Sequence, residues 1–106
     1  MVEPGLDRHE WQTEWEALEP EVEDAPAETL SALDDLVARM LAARGYALDD
    51  EVAVEGEERD VVAEYRAAHA VTQLVERDET PDPGDVAAAV NGYRAIYEYL
   101  IDEIGP

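Results

Sequence analysis

The chain has 106 residues, with 28 acidic residues against seven arginines, no lysine and a formal net charge of −21. It has no cysteine, which excludes disulfides, thiolate zinc sites and cysteine nucleophiles. Hydrophobic residues make up 46%, which is enough for one core and too many for a disordered composition. We therefore expect a single globular domain spanning residues 1–106.

The net negative charge restricts the classes of molecule that the chain can bind. A surface this acidic repels nucleic acid and anionic membranes, and it attracts cations or a protein with a basic face. Such a surface is also typical of halophilic proteins, and a GC-rich coding sequence gives a similar composition. No apolar run approaches the roughly 20 residues of a membrane span, and the N-terminus lacks the basic and apolar regions of a signal peptide. We expect a cytoplasmic protein that binds neither nucleic acid nor membrane.

Apolar periodicity predicts a short first helix over residues 8–18. Asp7 precedes it as a cap, and Pro20 is expected to end it. Trp11 and Trp15 lie four residues apart and therefore share one face of this helix. Residues 1–25 are accordingly expected to form an N-terminal arm that contains this helix.

Three longer helices are predicted over residues 26–44, 57–77 and 83–104, with a linker at 46–56. Each begins with acidic residues, and proline stands in the first turn of the first and last of the three. Short connections favour antiparallel neighbours. We therefore expect an all-α protein, an up-down antiparallel bundle whose three-helix core spans 26–104, plus the short N-terminal helix.

Acidic residues are concentrated in particular segments. Residues 1–28 hold ten acids and one arginine, residues 49–60 seven and one, and residues 76–85 five and one. The segments 29–48 and 61–75 have no net charge. In a bundle this pattern predicts two acidic ends and a neutral, apolar belt between them.

The last two helices carry more apolar positions than one neighbour requires. Much of the surplus is alanine, and the tryptophan-bearing first helix folding back over it would cover part of the rest. The alternative is self-association, most simply as a dimer, through tyrosine and tryptophan, which are common at interfaces. The expected interface residues are Trp11, Trp15, Tyr65, Tyr93, Tyr97 and Leu100.

Few residue patterns in the sequence indicate metal binding or catalysis. Glu10 and Glu14, beside His9, have the spacing that places two carboxylates near one cation, but no Glu-x-x-His pair accompanies them. His69 follows Glu64 by five residues, which is not one helix face. The segment 78–89 resembles a calcium loop only superficially, because proline occupies the obligatory glycine position and alanine the final glutamate position. We expect no catalytic residues, no metal and no cofactor.

These observations favour a non-enzymatic helical interaction module, an adaptor, accessory subunit or small regulator, that self-associates or binds a protein with a basic surface. Two alternatives remain. A compact polyanion can act as a nucleic-acid mimic that inhibits a basic DNA- or RNA-binding protein. The second alternative is a metal-dependent enzyme or a metal carrier. The absence of metal-ligand motifs from the sequence disfavours it.

Overall fold

A computed structural model describes residues 4–44 and 56–104 of the chain, with side chains described over 8–44 and 60–102. These residues form four α-helices and no strand: α1 Pro4–Asp24, α2 Pro26–Ala43, α3 Gly56–Glu76 and α4 Pro83–Ile104. The predicted all-helical class is confirmed. The predicted bounds of the second, third and fourth helices agree with the structure to within one residue. The linker at 46–56 lies outside the described residues except for Gly56, which begins α3.

The first helix is longer than the sequence predicts. The expectation of a helix over residues 8–18, with Asp7 as cap and Pro20 as its end, is wrong, because α1 has 21 residues and includes both. Pro20 lacks the N–H that would bond to the carbonyl of Glu16, which normally weakens a helix. Here the helix continues past it, because Val22 is buried in the core and the N–H of Ala25 bonds to the Glu21 carbonyl at 2.8 Å.

A single residue, Ala25, separates α1 from α2. The Thr29 hydroxyl lies 3.0 Å from the Glu21 carbonyl and 2.8 Å from the Ala25 carbonyl, so it links the end of α1 to the first turn of α2. Pro26 occupies the first turn as predicted, and the capping position is Ala25, which makes no side-chain cap. The junction is therefore held by one buried threonine rather than by an acidic cap.

Helices α2 and α4 each pack against all three other helices, whereas α1 and α3 do not touch each other within the described residues. Contacting pairs run in opposite directions along α1 and α2. Glu14 of α1 meets Arg39 of α2, and Glu21 meets Thr29 near the opposite end of α1. The sequence treats residues 1–25 as an arm, and the structure packs α1 along α2 and α4, with Trp15 and Val22 in the common core.

The connection between α3 and α4 is a turn stabilised by backbone hydrogen bonds. Asp78 has φ 63°, a left-handed conformation, and its N–H bonds to the Val75 carbonyl at 3.0 Å. The next N–H, of Glu79, bonds to the Leu74 carbonyl at 2.9 Å, which completes a Schellman motif. The turn brings the C-terminus of α3 and the N-terminus of α4 to the same end of the molecule as the α1–α2 junction, as the hydrogen bond from Ser31 to Glu76 (2.8 Å) also requires.

Candidate functional site

The structure places five of the six predicted interface residues inside one chain. Trp11 alone is partly exposed. The exposed fractions of the other five are 8% or less, and they contact the core of the same bundle: Trp15, Tyr65, Tyr93, Tyr97 and Leu100. Self-association concerns an assembly and stays a prediction. In the single chain these side chains form the core itself, so they are not available to a second copy while the bundle stays closed.

Trp15 and Tyr97 form the contact between α1 and α4. Their rings are stacked, with centroids 4.4 Å apart and planes 8° from parallel. Trp15 Nε1 donates to Glu19 at 3.1 Å, and Arg94 donates to the other oxygen of Glu19 at 3.0 Å. Burial raises the pKa of Tyr97, and the neighbouring carboxylate of Glu16 raises it further. The first helix thus covers part of the apolar surplus of α4.

Arg39 organises the outer surface of α1 and α2. Its guanidinium contacts both oxygens of Glu14, at 2.9 and 3.2 Å, and Asp35 at 2.9 Å, and it lies 5.7 Å from the centre of the Trp11 ring. The hydrogen bond to Glu14 raises the pKa of Arg39. Glu14, one of the two carboxylates with cation-binding spacing, is therefore engaged by an arginine. Among the side chains that the structure describes, no group of three or more acidic or histidine residues could hold a metal ion.

A polar cluster joins α2, α3 and α4 near the centre of the bundle. It consists of Asp34, Tyr65, His69, Thr72 and Tyr93, and we call it the Asp34 cluster. Asp34 Oδ2 lies 2.6 Å from His69 Nδ1 and accepts a 2.6 Å bond from the Tyr93 hydroxyl, while Oδ1 accepts a 3.0 Å bond from the Tyr65 hydroxyl. The Thr72 hydroxyl lies 2.7 Å from that of Tyr93 and 3.1 Å from the Ala68 carbonyl.

The Asp34 cluster is buried at Tyr93 and reaches the surface at His69. The Tyr93 ring is fully buried, and the pKa of its hydroxyl is strongly raised by this burial and by the hydrogen bond to Asp34. The Asp34 side chain is 14% exposed and that of His69 37%. Every buried polar side-chain atom of the described residues has a hydrogen-bond partner. Asp34 orients the His69 ring through Nδ1, as in a carboxylate–histidine pair, and the hydrogen bonds of the cluster hold three helices in one register.

Asp34 is not among the site residues predicted from the sequence, although its position in α2 is unusual for a carboxylate. Asp34 stands in the apolar face of α2, in the series Leu30, Asp34, Val37 and Leu41 with spacings of four, three and four. The other three members of that series are fully buried. A carboxylate in such a stripe requires partners on a facing helix, because a buried charge without partners is costly. His69 is one of those partners.

An open apolar groove lies where the α1–α2 junction meets the start of α4, and we call it the end groove. Its volume is about 570 Å³, within the range of ligand pockets. Nine of its twelve lining residues are valine, alanine or proline: Val22, Ala25, Pro26, Ala27, Pro81, Pro83, Val86, Ala87 and Val90. Glu28, Thr80 and Asn91 complete the lining. It is apolar surface that α1 leaves uncovered.

The surroundings of the end groove are acidic. The two segments that form it, residues 19–28 and 76–85, together contain ten acidic residues and one arginine. Glu28 lines the groove, and Asp24 and Asp82 are exposed and stand next to lining residues in the sequence. Arg77, the single base, pairs with Glu79 at 3.6 Å. The end groove therefore combines an apolar floor with a negatively charged border.

Comparison of the chain with protein-family models, with curated proteins and with solved structures gave no match. Within residues 4–44 and 56–104, no helix is long and apolar enough to cross a membrane.

Proposed function

We propose that this chain is a non-enzymatic helical interaction module that binds another protein through the end groove. The observation that carries the proposal is an apolar, open groove of about 570 Å³ on a chain with a net charge of −21. A concave, mostly apolar pocket of this volume with a few polar groups has the form of a typical binding site. The acidic border favours a partner with a basic surface.

The rest of the bundle supports this function as a rigid frame. The proposal takes the helices to be arranged up and down in antiparallel order, which the Glu14–Arg39 and Ser31–Glu76 contacts support. The Asp34 cluster then ties α2 and α4, the two helices that meet at the groove, to α3. A cluster whose groups bond to one another suits a structural role better than catalysis.

A second copy is a less suitable occupant than a basic partner. The residues expected to mediate self-association lie mostly in the core of one chain. Two copies would also bring together chains of charge −21 each, and this repulsion opposes association at low ionic strength. A partner rich in lysine and arginine would instead gain attraction from the same field.

The absence of lysine allows a direct test. A carbodiimide joins carboxylates to amines, and the chain has carboxylates but, apart from its N-terminal amine, no amines. Cross-linking in a native extract therefore attaches the chain mainly to amines of other proteins, and copies of the chain can be joined only through the N-terminal amine. We expect a discrete adduct with a basic protein, identified by mass spectrometry and lost at high salt. Recovery of only the 11.7 kDa chain would count against the proposal.

A further inference from the structure

We propose that the end groove takes an amphipathic helix of the partner, with apolar side chains facing the groove and lysine or arginine on its flanks. This inference rests on the proposed function and specifies the segment that is bound. It is carried by three properties of the groove: its apolar floor, its acidic border and the kinds of backbone recognition that its lining permits.

The chemistry of the lining selects the form of the segment. Extended peptides commonly bind by pairing with the edge of a sheet, and the described residues contain no strand. Polyproline segments dock on grooves lined by aromatic rings, and none of the twelve lining residues is aromatic. An apolar trough beside two helices is the surface on which an amphipathic helix packs.

The charges around the groove select the flanks of the segment. Carboxylates stand on both sides of it. Glu28 lines it at the α1–α2 side, where Asp24 precedes the lining residue Ala25, and at the α4 side Asp82 lies between the lining residues Pro81 and Pro83. A helix lying between them and carrying lysine or arginine on both flanks meets opposite charge on both. Such complementarity raises the association rate and excludes acidic segments.

Two other occupants fit less well. The stretch 45–55 of this chain, which lies outside the described residues, contains four acids and no base, so it would meet like charge at the border. A second copy of the chain carries the same net charge of −21. Both lack the positive flanks that the acidic border requires.

The direct test measures binding of a designed peptide to the intact chain. The peptide has about 14 residues, four helical turns, with leucine at i, i+3, i+4 and i+7, lysine or arginine at the positions flanking this stripe, and alanine or glutamine on the outer face. A scrambled peptide of the same composition is the control for attraction to a polyanion, and a version with glutamate for every base is the control for charge. We expect saturable binding of the first peptide only. Equal binding of the scrambled peptide would overturn the inference.

Matched variants locate the site. Ala87 lines the groove and is exposed, and Ala95 is exposed further along the same helix outside the groove lining. We expect Ala87→Gln, which places an amide over the apolar floor without changing charge, to raise the peptide Kd about ten-fold. Ala95→Gln should leave the Kd within about two-fold. Equal effects of the two substitutions would contradict the groove as the site.

A second set of variants tests how much the acidic border contributes to peptide binding. Glu28→Gln with Asp82→Asn removes two charges beside the groove, and Glu10→Gln with Asp102→Asn removes two exposed charges elsewhere. We expect the first pair to weaken peptide binding more than the second and to flatten its salt dependence. Equal effects would indicate attraction by net charge alone and would overturn the acidic border as a determinant.

The outcomes separate this inference from the function on which it rests. If the partner adduct still forms with the Ala87→Gln variant, the chain binds a partner but not through a helix in the end groove. This result would support the proposed function and contradict the further inference. A dimer in sedimentation that Ala87→Gln dissociates would assign the groove to a second copy and overturn the basic helix. Loss of the partner adduct together with loss of peptide binding in Ala87→Gln alone would support both.

Discussion

The Tyr93 hydroxyl of α4 donates a 2.6 Å hydrogen bond to Asp34 Oδ2 of α2, across 59 positions of sequence. Tyr65 and His69 of α3 contact the same carboxylate, so one acidic side chain receives groups from two helices. Apolar packing alone allows neighbouring helices to slide, whereas a carboxylate with fixed donors is satisfied in one register. Asp34 therefore specifies how the helices meet as well as contributing to stability.

Replacement of Asp34 by alanine is predicted to destabilise the bundle by roughly 2–4 kcal/mol, because it leaves buried donors without their acceptor. Asp34→Asn should cost less, since an amide oxygen still accepts one of the bonds. Asp35→Ala is the matched control, because Asp35 is exposed and pairs only with Arg39. Urea unfolding followed by circular dichroism measures all three. A loss for Asp34→Ala no larger than that for Asp35→Ala would contradict the structural role.

The raised pKa of Tyr93 predicts that stability falls in alkali. The unfolded chain releases the phenolic proton near pH 10, while the folded chain keeps it beyond that pH because burial and Asp34 disfavour the phenolate. The contribution is therefore fully present below about pH 10 and is lost as the pH rises above it. Tyr97, whose pKa is also raised, acts in the same direction. Urea unfolding between pH 9 and 11.5 measures the decline.

Tyr93→Phe distinguishes the contribution of Tyr93 to the alkaline loss of stability from that of Tyr97. Above pH 10 it should reduce the decline of unfolding free energy by up to about 1.4 kcal/mol per pH unit, the value for one proton. The variant should also be less stable than the wild type at neutral pH, because the bonds of the hydroxyl to Asp34 and Thr72 are lost. An unchanged alkaline slope would show that Tyr93 ionises in the folded chain.

Local signals in the sequence are sufficient to predict the bounds of α2, α3 and α4. Proline in the first turn at Pro26 and Pro83, acidic starts and apolar spacing all act within one or two turns, so they fix helix bounds without tertiary information. The bounds of α1 depend on tertiary contacts. Pro20 is a local stop signal, and burial of Val22 against the other helices overrides it.

The candidate sites depend on relationships that the sequence does not display. Asp34 is one of 28 acids, and its role follows from the register that places Tyr93 and His69 beside it. The sequence predicts an apolar surplus on α4, but which part of the apolar surface stays uncovered depends on the path of α1. Since α1 covers Tyr97 through Trp15 and stops short of Ala87, the open surface is the end groove.

Truncation of Trp15 is predicted to be among the most destabilising single changes. Trp15→Ala removes a buried ring stacked on Tyr97, and large-to-small changes of this kind cost roughly 3–5 kcal/mol. Trp11→Ala should cost much less, because Trp11 is only partly buried and packs under the exposed Arg39. Urea unfolding compares the two, and equal losses would show that α1 is not anchored through Trp15.

Added salt is predicted to stabilise the chain. With a net charge of −21, most long-range interactions are repulsive, and raising sodium chloride from 0.1 to 1 M shortens the screening length from about 10 to about 3 Å. The Tm should therefore rise with salt. A variant with several exposed acids neutralised should have a higher Tm at low salt and a shallower salt dependence. A Tm that falls with salt would mean that ion pairs such as Arg39–Glu14 outweigh the repulsion.

The turn after α3 offers a stabilising substitution. Asp78 adopts φ 63°, a conformation that costs a residue with a Cβ atom more than it costs glycine. Asp78→Gly should relieve this cost, keep both Schellman hydrogen bonds and remove one charge from an acidic end, which together should raise the unfolding free energy by up to about 1 kcal/mol. Asp78→Ala is the matched control, because it removes the same charge and keeps the Cβ atom at the positive φ. If thermal unfolding shows the two variants equally stable, charge rather than backbone conformation limits this turn.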